Sequence, residues 1–79
     1  MELLQFRYFL EAAKHGNLTK AAEGLHIAQP ALSQSIRRLE NELGVPLFDR
    51  KNHRIYLNEQ GKLLEKRLIP LMGSIDNLK

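Results

Sequence analysis

The stretch Ala21-Ala22-Glu23-Gly24-Leu25-His26-Ile27-Ala28-Gln29-Pro30-Ala31-Leu32-Ser33-Gln34-Ser35-Ile36-Arg37-Arg38-Leu39 decides the architecture of this chain. Leu32, Ile36, Leu39 and Leu43 recur at i, i+4, i+7 and i+11, which lays one apolar stripe along a helix. Pro30 suits the first position of that helix, where its missing N–H would have no partner in any case, and Gly44 ends it. Upstream, Thr19 is the expected N-cap of a shorter helix whose buried side is Ala21, Ala22 and Leu25. The small alanines let another helix approach closely. Only His26, Ile27, Ala28 and Gln29 separate the two helices. A short Ala-rich helix joined so tightly to a longer one predicts a helix-turn-helix.

Toward the N-terminus, Glu2 to His15 places Leu3, Phe6, Leu10 and Ala13 at helical spacing, with Phe9 widening the stripe and Gly16 stopping the helix. Toward the C-terminus, Ile55 and Leu57 alternate with Arg54 and Tyr56, the period of a strand. Asn52 can enter the left-handed region that a tight hairpin needs. A β-hairpin wing is therefore expected between Leu47 and Leu57, with Phe48 and Tyr56 anchoring it in the core rather than offering stacking surfaces. Asn58 is the expected N-cap of a last helix of 21 residues, Glu59 to Lys79. In it Leu64, Leu68, Leu71, Ile75 and Leu78 step by 4, 3, 4 and 3, a heptad-like seam. Pro70 should kink that helix or end it, and Gly73 weakens it further. The seam is still running at the last residue, so the chain reads as one cut within a longer helix. The predicted fold is mainly α: a winged helix-turn-helix over residues 1–58, then a linker and dimerisation helix over residues 59–79.

Length and composition set the limits. Seventy-nine residues make one domain, and 43% hydrophobic with 27% charged residues is globular usage, neither disordered nor fibrous. So short a chain has one modest core. Without Cys it has neither disulfides nor thiolate zinc sites, which leaves a second copy of the chain as the expected staple. No apolar run approaches the roughly 20 residues that span a bilayer. The start, Met1-Glu2-Leu3-Leu4-Gln5, lacks the basic and then apolar regions of a signal peptide. A cytoplasmic protein without a membrane partner is expected.

Enzyme chemistry finds no footing. His15, His26 and His53 fall on different elements, with no His-x-x-x-His or Glu-x-x-His spacing for a metal. No His or Asp is placed to activate Ser33 or Ser35, and nothing resembles a phosphate-binding glycine loop. Neither a catalytic site nor a cofactor is expected.

Charge is more informative by place than by total. Lys and Arg outnumber Asp and Glu by 12 to 9, a net +3, which many small domains share. Between Ser33 and Arg54, however, stand Arg37, Arg38, Arg50, Lys51 and Arg54. Opposite the third helix's apolar stripe lie Ser33, Gln34, Arg37, Arg38 and Asn41; its first turn is preceded by Gln29 and carries Ala31 and Ser33. Gln can bond bidentately to adenine, Ala can touch a thymine methyl, and Ser at a helix start suits phosphate. Glu40 and Glu42 fall in the last turns, away from a groove entered by the N-terminal end. A solvated polar face is the bland explanation, as is edge protection for the wing charges. The tight turn and the basic wing together favour DNA. The expected DNA-binding residues are Thr19, Ala28, Gln29, Pro30, Ala31, Ser33, Gln34, Arg37 and Arg38, with Arg50, Lys51, His53 and Arg54 in the wing. Leu64, Leu68, Leu71, Ile75 and Leu78 are the expected dimer contacts.

The strings Ala21-Ala22 with Leu25, Ile27 through Glu40, and Leu43-Gly44-Val45-Pro46-Leu47-Phe48-Asp49-Arg50 resemble the N-terminal DNA-binding domain of LysR-type transcriptional regulators. The likeness covers nearly all of the chain. It implies a bacterial transcription regulator that binds double-stranded DNA sequence-specifically as a homodimer paired through the C-terminal helix. It implies too that a small-molecule effector binds only in a following domain, absent from these residues. Gln29, Pro30 and Ser33 match the stretch that enters the major groove, and Arg50 and Arg54 match basic wing positions. Departures are Ala31 where many members have Ser, His53 where a basic residue is common, Asn52 for Gly and Asn58 for Thr. The competing reading is a winged-helix module that docks protein and leaves its basic surface to solvent.

Overall fold

A computed structural model describes residues 2–77, with side chains as far as Ser74. Its elements run α1 (Leu3–His15), α2 (Leu18–Leu25), α3 (Gln29–Leu43), β1 (Phe48–Lys51), β2 (Arg54–Leu57) and α4 (Glu59–Asn77). The first and third helices stop where a residue without Cβ takes the left-handed conformation, Gly16 at φ 64° and Gly44 at φ 77°. At the start of α1, the Gln5 side chain accepts the Glu2 backbone N–H at 3.0 Å, half of a reciprocal capping box.

Leu32, Ile36 and Leu39 of α3 are buried as their spacing predicts, and Leu43 packs half-buried at the edge. They meet Ala21 and Ala22 of α2, whose small side chains leave room for α3. Leu18 completes the buried side of α2. Helix α1 is rotated from its expected stripe. Its buried line is Gln5, Phe9 and Ala12; Leu3 is exposed, while Phe6, Leu10 and Ala13 flank the core. The rotation brings the Phe9 ring to 5.4 Å from Phe48, tilted at 53°, a favourable aromatic arrangement. Gln5 tolerates burial because its amide also donates to the Glu42 carboxylate at 3.4 Å.

The wing is the expected hairpin. β1 and β2 pair antiparallel with Lys51 opposite Arg54, so Asn52 and His53 alone make the turn. Both have positive φ, 53° and 64°, as two-residue hairpin turns of the primed type require. Phe48 and Ile55 face the core, but Tyr56 does not anchor there: it is 51% exposed on the opposite face of the strand. The Ile55 N–H donates to the Gly16 carbonyl at 3.1 Å, fastening β2 to the corner between α1 and α2.

Asn58 caps α4 as expected, accepting the Gly61 N–H at 2.8 Å. It also donates its side-chain amide to the Pro46 carbonyl at 2.9 Å and its backbone N–H to Leu47 at 3.0 Å. Gly61 is buried at that junction, and a Cβ there would collide with the Leu47 carbonyl oxygen and the Leu57 side chain. The helix continues through Pro70 to Asn77. The heptad seam does not form one free face. Leu68 is only 4% exposed and, with half-buried Leu64, closes the chain's own core; Met72 is buried one turn further on. Leu71 is exposed, and the Ile75 side chain and Leu78 lie outside the described part. The first half of α4 lies over Leu47 and β2, so its inner face serves this domain first. No helix among the described residues is long and apolar enough to cross a membrane.

Candidate nucleic-acid interface

The connection between α2 and α3 is built by backbone geometry. His26 takes the left-handed conformation at φ 59°, its N–H donates to Glu23 at 3.1 Å, and the Ile27 N–H donates to Ala22 at 3.0 Å. This pair of bonds closes a Schellman turn, and Ile27 packs against the core behind it. Ala28 then serves as N-cap of α3 with extended backbone, so the helix begins at Gln29, one residue before the expected start, with Pro30 in its first turn. No side chain caps this end. The partial positive charge of the helix N-terminus is left to attract an anion.

Thr19 is not the cap of α2. Asn17 is, accepting the Lys20 N–H at 3.0 Å, and Thr19 lies exposed in the helix's first turn. Both residue types cap well, so type alone could not choose between them. The signal was Leu18: with Ala21, Ala22 and Leu25 it makes i, i+3, i+4 and i+7, which requires the helix to begin at Leu18.

The structure gathers nine of the thirteen expected residues into two adjoining clefts. One is lined by Thr19 of α2, Gln29 of α3, and Arg50, His53 and Arg54 of the wing, over a floor of Leu18 and Ile55. The other is lined by Gln29, Pro30, Ser33, Gln34 and Arg37 along the exposed face of α3. Gln29 belongs to both. Arg50 reaches the first cleft because strand alternation puts it on the same face as Phe48, and it pairs across the hairpin with Ile55. Lys51 is exposed at the wing tip and Ala28 at the start of α3, beside the clefts rather than in them. Ala31 and Arg38 are exposed but fall further round α3, outside both clefts.

The acidic residues of α3 are occupied elsewhere. Glu40 accepts the Leu47 N–H at 2.6 Å, and Glu42 accepts from Gln5. Neither lines the clefts, so the surface between α3 and the wing keeps its positive sign. The amides of Gln29 and Gln34, the hydroxyls of Thr19 and Ser33, and the four cationic or imidazole side chains of Arg37, Arg50, His53 and Arg54, on a convex helix and hairpin, suit phosphate and base edges. Among the described residues, no group of three or more His, Asp or Glu is placed to hold a metal ion.

Comparison with known proteins agrees with this geometry. The model of the bacterial regulatory helix-turn-helix protein, lysR family, matches residues 3–62. The chain is 51% identical over 72 residues to an uncharacterized HTH-type transcriptional regulator, YybE, of Bacillus subtilis (strain 168), covering 91% of this chain and 25% of that protein. It is 42% identical over 79 residues to the probable cat1 operon transcriptional activator of Acinetobacter lwoffii, covering 100% of this chain and 26% of that one. The chain thus spans about a quarter of the length of these curated relatives. Among solved structures, the BenM_DBD/catB site 1 DNA complex matches with a TM-score of 0.94 at 37% identity, covering 99% of this chain and 87% of the other. The CbnR_DBD–DNA complex matches at 0.85 and 34% identity, covering 98% and 92%. With its winged helix-turn-helix and a family match over most of its length, the chain belongs to the lysR family of bacterial regulatory helix-turn-helix proteins.

Proposed function

We propose that this chain binds double-stranded DNA sequence-specifically, as a homodimer, in the regulation of transcription. The observation that carries the reading is the cleft where Thr19, Gln29, Arg50, His53 and Arg54 converge from α2, α3 and the wing. The N-terminal end of α3 enters the major groove, where Gln29, Ser33 and Gln34 meet base edges or phosphates and Arg37 meets the backbone. The wing lies over the adjacent minor groove, with Arg50 attracted by its negative potential. BenM and CbnR domains of this fold have been solved with DNA, which supports the same use of this surface.

Dimerisation is assigned to the exposed side of α4. Leu63 and Leu71 stand there two turns apart, with Arg67 between them, and an apolar groove of Leu43, Val45, Leu47, Leu63 and Leu64 adjoins them. Two recognition helices spaced by such a pairing would read half-sites about 34 Å apart, one turn of DNA. A small-molecule effector is assigned to sequence outside these residues.

The test is selection of duplexes from a random pool, followed by binding at two salt concentrations. Specific binding with a steep salt dependence is expected, and Arg50→Ala should reduce the slope by about one unit. A chain that recovers no sequence and binds without salt dependence is a protein-docking module instead.

A further inference from the structure

On the other side of β2 from the recognition cleft, Lys14, Arg54, Tyr56 and Lys62 line a second groove, with Gly16 and Ile55 between them. The cations come from three elements: the last turn of α1, the start of β2 and the N-terminal part of α4. All four side chains are exposed. No carboxylate among the described residues pairs with Lys14, Arg54 or Lys62, and none lines the groove. Glu11, close by on α1, is engaged with His15 at 3.1 Å, and Asp49 stands across the ladder from Tyr56 on β1, outside the groove.

Local stability explains only part of this. Lys14 near the C-terminus of α1 complements that helix's dipole. Lys62 does the reverse: it sits near the N-terminus of α4, where a cation is disfavoured. Tyr56 leaves half its surface in water although strand alternation places core residues only one position away. A cation set against its own helix and an aromatic hydroxyl set in solvent, on one groove, are matched by an anionic ligand.

Position identifies the ligand. Arg54 and Ile55 line both this groove and the cleft holding Gln29 and Arg50. The two grooves therefore meet at Arg54 and Ile55, so basic side chains run from the start of α3, across the start of β2, to Lys14 and Lys62. We propose that Lys14, Lys62 and the Tyr56 hydroxyl form a second phosphate-binding track, which holds the backbone of DNA flanking each half-site. The proposal rests on the DNA-binding reading of the first cleft and extends its footprint outward. An acidic protein segment would satisfy the same charges, but continuity with the recognition cleft favours the flanking duplex.

Two duplexes bearing the selected site test it, one ending at the half-sites and one extended by about one helical turn, roughly ten base pairs, on each side. Wild-type chain should bind the long duplex on the order of tenfold more tightly at low salt, with a slope steeper by about two units. The Lys14→Ala/Lys62→Ala double variant should bind both duplexes alike, with wild-type affinity for the short one. Tyr56→Phe should lose part of the same advantage, and circular dichroism melts check that each variant is folded. Equal wild-type affinity for the two duplexes overturns the track, and so does a flank advantage that survives the double variant. Loss of the short duplex as well overturns it in favour of general charge. Failure of the wild-type chain to bind the short duplex at all overturns the DNA-binding reading itself.

Discussion

The Glu40 carboxylate accepts the backbone N–H of Leu47 at 2.6 Å, so an acidic side chain on α3 holds the segment that leads into the wing. Two parts of one interface are thereby kept in register. Hydrogen bonds to a charged group contribute about 1.5–3 kcal/mol, and the Leu47 N–H would lose its partner if the carboxylate were removed. Glu40→Ala should therefore lower stability by about 1–3 kcal/mol in urea denaturation. Glu40→Gln, which keeps an acceptor, should lose less. An unchanged midpoint for Glu40→Ala would show that the bond contributes nothing to the fold.

Gln29 is shared by both clefts, and its effect should depend on sequence. Gln29→Ala is expected to cost about 1–3 kcal/mol on the selected duplex and little on random DNA, measured by fluorescence anisotropy. Equal losses on both would make Gln29 a positioning residue.

Glycine inside a helix is ordinarily improved by alanine, by about 1 kcal/mol. At Gly61 the sign should reverse. The added methyl would meet the Leu47 carbonyl and the Leu57 side chain, and its own N–H is the one that Asn58 caps. Gly61→Ala should lower the melting temperature, with a cost of about 1–3 kcal/mol from overpacking. A raised melting temperature would mean that α4 does not press against the Leu47 carbonyl.

Leu68 and Leu71 lie three residues apart on α4 and should behave oppositely. Leu68 is 4% exposed and Leu71 is 53% exposed. Leu68→Lys should unfold the chain or cost several kcal/mol, about what burying an unpaired charge or opening a core cavity costs. Leu71→Lys should leave the fold intact and weaken self-association, as sedimentation equilibrium would report. A Leu71→Lys chain that dimerises as the wild type does would place the interface off this face.

The readability of these elements follows from how many independent constraints each residue carries. Helix α3 announced itself because Leu32, Ile36 and Leu39 answer to a single core on one side, and the same spacing left Ser33, Gln34 and Arg37 free on the other. The rotation of α1 was hidden because it depends on Phe48, far away in sequence, and on a Gln at position 5 whose partners are Glu2 and Glu42. The α4 seam misled for a related reason. A 4-3 spacing reports an apolar face but does not say whether the same chain or a second one covers it, and here Leu64 and Leu68 are covered within the chain. The basic residues of the wing could be named by charge. That Arg50 and Thr19 meet Gln29 in one cleft required the strand register and the position of α2, neither of which is local.

His53 holds φ at 64°, a conformation that Gly adopts freely and that disfavours a residue with Cβ by about 1–2 kcal/mol. Its side chain is exposed and contributes nothing to the core. A strained residue retained where relief is one substitution away points to a trade between endurance and binding. His53→Gly should produce a protein that melts higher and holds DNA less well, and the two changes measured together would show how much stability the wing gives up for its grip.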